Sequence, residues 1–407
     1  MNNVDSGEQL RFPSHRKSPF QAPDEYAAAR EKGVVPATLF DGRTVWFVSR
    51  HQDVSDVLMD RRFSSSSTAE NFPFFSASRK QVQLASPYTL NRIDPPEHSS
   101  LRRMFAPMFT VQKMVLFRPR LQAFVDGLIK EIIEKGPPIE LCQDFALRVT
   151  VWSIVELMGL PHEDERFFSH CATTAIIHMQ DPDASAKAVA DMEQYLDDFL
   201  AAKEKNPVDT DDIISRLVID RIIPGQIRRD VAVPLLSNVV LNGQDSTGSM
   251  IALGCLGLLA YTDQKEKLLN RPELLDSAID EMLRFFTIAI AAGPRTALEE
   301  VVIGGQTIRE GDGVVASVLS GNRDATVFED PDSFRIDRDN VSSQHLAFGR
   351  GVHSCIGRPL ALIELQVVFS TLFQSIPGLQ LAVPLEDIRG TGETAQAYTL
   401  AALPVTW

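Results

Sequence analysis

Ten residues, Phe348-Gly349-Arg350-Gly351-Val352-His353-Ser354-Cys355-Ile356-Gly357, set one cysteine in a glycine-lined loop just ahead of an apolar helical run that opens Arg358-Pro359-Leu360-Ala361. Cysteine ligates metals as the thiolate, a form stabilised by nearby N–H donors, by a helix N-terminus and by the metal itself. Cys355 can have all three. Gly349, Gly351 and Gly357 let the backbone turn tightly and aim amides at the sulfur while a flat macrocycle packs close. An isolated cysteine is more often a buried structural residue; the surrounding pattern is what favours a metal ligand here.

The pattern Phe348-x-x-Gly351-x-His353-x-Cys355-x-Gly357, followed by Leu360-Ala361, resembles the haem-thiolate loop of the cytochrome P450 family. Weaker landmarks recur in the order expected of that family from about Asp41 to the C-terminus, so the resemblance covers nearly the whole chain. It implies haem b as cofactor, Cys355 as the iron ligand, and Phe348 and Gly357 as further contacts of the loop. A thiolate pushes electron density onto haem iron and favours O–O cleavage over reversible oxygen carriage. The implied activity is that of a monooxygenase.

A haem brings two propionates that need cationic or donor partners. His98 and Arg102 lie four apart, on one helix face, and a His-x-x-x-Arg at this place in the resembled family contacts the propionates. Arg295 and His353 match two further propionate-contacting positions, and together the four would offset the acid groups through charge-assisted bonds. Alone, an i,i+4 pair of this kind is more often solvated surface. Glu281 and Arg284 match the family's Glu-x-x-Arg pair, with Arg338 as a third member. The resemblance gives them a structural role, bracing the core beneath the cysteine loop.

The run Leu241-Asn242-Gly243-Gln244-Asp245-Ser246-Thr247-Gly248 interrupts an otherwise apolar helical stretch. Buried polar groups need partners, and a mid-helix cluster costs stability unless function uses it. It resembles the family's oxygen-activation segment. Gly243 is expected to let the helix widen beside the iron, and Asp245 and Ser246 fall on the acid and alcohol pair. Dioxygen cleavage consumes two protons, and a hydroxyl linked to an acid that reaches solvent can supply them. Serine lacks the methyl that restrains threonine, which frees the Ser246 hydroxyl to bond the carbonyl of Asn242; Thr247 could then share the role. Asn242 is read in two ways, as an amide bonded to neighbouring backbone or as a cavity residue that fixes a substrate carbonyl or N–H.

Substrate contacts carried over from the family are Phe74, Phe75, Phe286, Ile288, Ala289, Ala292, Gln396, Ala397 and Tyr398, with ordinary core as the competing reading for Phe74 and Phe75. No flavin or iron–sulfur domain is fused, so electrons are expected from NAD(P)H through a reductase and a ferredoxin. Arg103, Arg350 and Arg358 would offer a basic patch to an acidic redox partner. The expected substrate is a mid-sized organic secondary metabolite, hydroxylated or oxidatively coupled with O2, and a monomer is expected. Two rivals stand beside this reading. One is a nitric oxide reductase of the same family that takes electrons directly from NADH, suggested by Leu39-Phe40-Asp41-Gly42, residues 72–76 and residues 94–98, and opposed by Asp245 and by the lack of basic residues in Ser64-Ser65-Ser66-Ser67. The other is a haem protein that binds a ligand without turnover.

These groups must be held by an α-rich frame. Of 407 residues, 44% are hydrophobic and 23% charged, ordinary for a globular chain with a sizeable core. The formal net charge of −14 argues against nucleic acid and anionic membrane surfaces as partners. Four dispersed cysteines and a polar N-terminus without an apolar leader fit a reducing cytoplasm. Helical periodicity is clear over residues 121–133, 149–158, 188–200 and 360–373, and residues 44–49 and 301–305 read as strands. The expected architecture is mainly α with small β-sheets, one large cytochrome P450-like domain over 1–407 with about 1–20 flexible. Asp94-Pro95-Pro96-Glu97 reads as a helix start capped by Asp94. Residues 64–90 are expected to be a mobile loop, and this loop and residues 167–205 are the candidate lids. The apolar stretch 231–261 is read as a buried central helix, because Asn242, Gln244 and Asp245 at its midpoint would be expensive in lipid.

Overall fold

The computed structural model describes residues 10–86, 88–176, 181–339, 341–391 and 397–407. Its organising element is the helix Arg229–Ala260, whose 32 residues span about 48 Å. This helix is apolar almost all round because Leu147–Met158, Glu165–Ile176, Pro182–Lys205 and Leu275–Phe286 pack against it. One large apolar cluster joins these helices to Val111–Lys135 and Arg358–Ser375. The four segments read as periodic lie inside helices Val111–Lys135, Leu147–Met158, Pro182–Lys205 and Arg358–Ser375.

A six-stranded sheet flanks the helical mass, in the order Leu10–Arg11, Val34–Thr38, Thr44–Val48, Gly313–Ala316, Pro294–Ala297, Phe63–Ser64. The strand read at 44–49 is its central member, while Val301–Ile303 forms a separate hairpin with Gln306–Ile308. The mainly α architecture with small sheets is therefore as expected, and no described helix is long and apolar enough to cross a membrane.

Three local expectations are corrected. Within the N-terminal stretch expected to be flexible, residues 10–20 are packed: Leu10–Arg11 pairs with Ala37 and Thr38, Phe12 is buried, and Arg16 donates to the carbonyls of Phe286 and Thr287. Residues 64–90 are not a continuous loop, because Ser76 accepts from the Arg79 amide and starts the helix Ala77–Ala85. Asp94 does not cap its helix, which begins at Glu97 without a side-chain cap. Its carboxylate accepts instead from the Ser64 hydroxyl and, at 2.8 Å, from the Ser65 amide.

The frame reaches the cysteine loop through a buried polar clamp. Arg284 and Glu281, both fully buried, form a two-pronged ion pair at 2.6 and 2.8 Å. Arg338 adds a third member at 3.3 Å. Arg284 also donates to the Asn322 carbonyl at 2.9 Å, and the Asn322 side chain accepts from the Leu346 amide at 2.7 Å, two residues before Phe348. The clamp thus ties helix Leu275–Phe286 to the segment that leads into the loop. Removing one partner strands a buried charge, so Glu281→Ala is expected to lose roughly 3–5 kcal/mol of stability. Chemical denaturation checks this, and a loss below about 1 kcal/mol, the scale of a surface pair, would contradict it.

Candidate active site

Cys355 lies three residues before the start of the helix Arg358–Ser375, whose first turn contains Pro359. The Cys355 amide donates to the Phe348 carbonyl at 2.8 Å, which closes the loop on itself. Gly351, at φ +72, is required twice over: that backbone favours glycine, and a Cβ there would lie 2.3 Å from the Leu58 carbonyl oxygen. The sulfur accepts from the amides of Gly357 and Arg358. Burial among protein atoms pushes the thiol above its ordinary value, and the amides and Arg102 pull it back. Yet the residue is accessible. The residue therefore has an open side on which a ligand can reach it.

From this sulfur a chain of cationic neighbours runs through the molecule. Arg102 feels the Cys355 sulfur. His98 and His353 lie ring to ring at 4.2 Å, and Arg295, His98, Arg92 and Arg102 all act on His353. Burial, then these like charges, push the His353 imidazole down to about 3. Burial, with Arg295 and Arg79 adding to it, lowers Arg92 to about 9; burial lowers Arg295 to about 10 against the pull of Asp94. Both ring nitrogens of His98, Nδ1 of His353 and Nε of Arg92 are buried without a hydrogen-bond partner among the described residues. Buried donors that repel one another need an anion between them. A haem, with two propionates at one edge and an iron that seeks the sulfur, fits this donor set. His98, Arg102, Arg295 and His353, expected from the sequence, are brought together; Arg92 was missed, although it stands two residues before Asp94.

On the central helix, Asn242 and Ser246 share an accessible face. Ser246 Oγ donates to the Asn242 carbonyl at 2.8 Å, the bond that serine in place of threonine permits. The Asn242 amide donates to the Asn238 carbonyl at 2.7 Å, so its nitrogen follows the backbone-bonded reading while the side chain stays accessible. Asp245 is buried, its Oδ2 has no partner among the described residues, and burial pushes its carboxyl up to about 6 against the pull of Arg79. Thr247 is buried beside Glu364 and Ser153, away from the face that holds Ser246. Burial pushes Glu364 up to about 8; those hydroxyls moderate it, though neither carboxyl oxygen has a hydrogen bond of good geometry. Gly243 departs from expectation. The helix runs unbroken through it, and a Cβ there would sit 2.3 Å from Ile154 Cδ1, so its missing side chain serves close helix packing.

The carried-over substrate positions divide. Phe75 packs edge-on against Phe12 at 4.8 Å in the sheet core, and Phe74 against Phe72 at 4.9 Å. Phe286 is fully buried among Phe20, Phe285 and Phe334. Phe286 has no exposed surface, and Phe74 and Phe75, almost wholly buried, pack in line with the core reading. Ile288, Ala289, Ala292 and Ala397 are half-buried, and Ala289 bridges to Ala397. The Tyr398 ring lies under the Arg16 guanidinium at 4.5 Å. Gln396 lies outside the described residues.

If the cations hold the propionates, Arg92→Gln or Arg295→Gln should speed haem loss by about ten- to a hundredfold, the worth of one hydrogen bond to a charged group. Transfer of haem to an excess of apomyoglobin measures this; unchanged transfer rates in both variants would contradict the placement.

Comparison with known protein families matches residues 261–376 to the family described as Cytochrome P450. The chain is 36% identical to Cytochrome P450 105A3 of Streptomyces carbophilus, covering 99% of this chain and 97% of that one. It is 36% identical to the Vitamin D3 dihydroxylase of Streptomyces griseolus, over 97% and 96%. Among solved structures, the mycinamicin VIII C21 methyl hydroxylase MycCI of Micromonospora griseorubida superposes with a TM-score of 0.92 at 30% identity, over 98% and 100%. With the cysteine loop in place and these likenesses running the whole length, the chain belongs to the cytochrome P450 family of haem-iron monooxygenases.

Proposed function

We propose that this enzyme binds haem b and uses electrons from NAD(P)H, passed by a reductase and a ferredoxin, to hydroxylate or oxidatively couple a mid-sized secondary metabolite with O2. The observation that carries the reading is the arrangement of the cleft: an amide-held sulfur on one wall, a cationic chain along one edge, and Asp245 and Ser246 where that chain ends. Bound there, the haem iron would supply reductive activation of dioxygen and transfer of one oxygen atom to the substrate. Relatives named for work on vitamin D3 and mycinamicin VIII support a bulky organic substrate.

The protein's own part is to hold charge and deliver protons. The amides of Gly357 and Arg358 stabilise the sulfur as an anion. Asp245, with a value near 6, stores a proton at moderate pH and can release it. Ser246 places its own proton on the Asn242 carbonyl and leaves its oxygen able to accept one, so delivery requires the hydroxyl to turn off that carbonyl. Arg358, which follows the cysteine loop, and Arg103, next to Arg102, are exposed and would meet an acidic ferredoxin.

The direct reading, in which NADH reduces nitric oxide without a protein partner, leaves Asp245 without a task; rapid NADH oxidation by nitric oxide alone would establish it instead. Oxygen and NADH consumption with surrogate redox partners tests the monooxygenase. Ser246→Ala should raise NADH used per product formed, and unchanged coupling would remove Ser246 from proton delivery. Asp245→Asn should slow turnover by about 10²–10⁴-fold. The protonated fraction of Asp245 falls as pH rises through about 6. A proton-limited rate should therefore decline over that range in the native enzyme and stay flat in Asp245→Asn; identical profiles would contradict the role.

A further inference from the structure

Helix Ala77–Ala85 carries an arginine that the reaction described above does not use. Its outer side is tethered to the long helix Pro182–Lys205: Gln81 donates to Asp183 at 3.1 Å and Ser86 to Glu193 at 2.7 Å. Arg79 interacts through space with Asp245 of the central helix, which attracts it, and with Arg92, which repels it. The Arg79 side chain is half-buried and retains accessible surface.

Among the described residues the Arg79 guanidinium donates no hydrogen bond, its Nε is buried without a partner, and no ion pair joins it to Asp245. A guanidinium has five donors in a planar fork; the buried, unmet Nε is expensive to leave so, while the terminal nitrogens keep accessible surface on which a ligand can dock. Neither neighbour meets the need. Arg92 repels it, and Asp245 attracts it across a gap too wide for contact. The cationic chain beyond Arg92 already has a guest in the haem propionates, so Arg79 is the end of that chain left to face the substrate space.

We propose that the cleft takes an anionic substrate, whose carboxylate or equivalent planar oxyanion docks on the Arg79 guanidinium. A carboxylate matches the fork with two parallel hydrogen bonds, and a rigid fork loses little freedom on engaging. The anion would enter the positive potential that Arg79 and Arg92 create together, which aids capture. Docked at this end, the remainder of the molecule reaches towards the sulfur past Ser246 and Asn242. This rests on the haem-enzyme reading, and it adds the charge of the substrate to it.

The test uses the full-length haem-loaded protein and two matched ladders of probes, ω-(imidazol-1-yl)alkanoic acids and the corresponding alkanols of equal chain length. The imidazole nitrogen binds haem iron and shifts its absorption, so affinity is read by titration without turnover. For chain lengths that span the cleft, the acid should bind at least about tenfold tighter than its alcohol, about 1.4 kcal/mol. That ratio should fall to near one in Arg79→Gln and be partly kept in Arg79→Lys, which retains the charge without the fork. Gln81→Ala, on the tethered outer side, should leave the ratio unchanged. No acid preference at any chain length in the native protein overturns the proposal and needs no variant to do so. A preference that survives in Arg79→Gln also overturns it, as does faster haem loss in that variant with the preference intact, which would assign Arg79 to a propionate. Absence of any absorption shift with either ladder strikes instead at the haem-enzyme reading.

Discussion

In the proposed haem enzyme, keeping sulfur at Cys355 as an anion inside a protein is the constraint on which the remaining architecture rests. Burial opposes it, since a thiolate loses its hydration there. The opposing forces are local and few: two amides at the start of a helix, the guanidinium of Arg102 and, when iron is bound, the metal. They work only if the loop cannot relax. The contact of Gly351 with the Leu58 carbonyl, the bond from the Cys355 amide to Phe348 and the anchoring of Leu346 by Asn322 each remove one way for it to do so. The fully buried Glu281–Arg284–Arg338 group is then intelligible as the far end of the same scaffold.

A second consequence is the distribution of charge. The chain as a whole is acidic, with a net charge of −14, yet its interior gathers Arg79, Arg92, Arg102 and Arg295 with two histidines, and Asp94 and Asp245 are the acids that act on them. Such an arrangement is costly in the protein alone. In the proposed placement it would become favourable when a dianionic macrocycle enters, and much of the fold's stability around the site would be linked to the cofactor. The pair proposed to handle protons, Asp245 and Ser246, sits at the opposite end of this chain, where Arg79 restrains the upward shift that burial imposes on Asp245.

How much of this was legible beforehand follows from the range of the interactions. The cysteine loop was readable because its logic is local: glycines, a cysteine and a helix start within ten residues. The bond from Ser246 to Asn242 was foreseen for the same reason, since it spans one helical turn. Arg92 and Arg79 escaped because what matters about them is which distant groups they face. Ser76 did signal a helix start, but the serine-rich stretch around it masked the signal. Asp94 was assigned the cap its position suggested, whereas tertiary structure gave its carboxylate to Ser64 and Ser65. Gly243 shows the converse limit: its motif points to the cofactor, while the contact that its missing side chain permits with Ile154 of the neighbouring helix is visible only in the fold.

The proposed bond between the sulfur of Cys355 and haem iron is tested most directly by the absorption of the reduced protein under carbon monoxide. The native chain is predicted to show the strongly red-displaced Soret band that an anionic sulfur ligand produces, and Cys355→His to bind haem without it. A native protein that takes up haem but shows the unshifted band in fully folded material, or a Cys355→His variant that keeps the displaced band, would contradict the account.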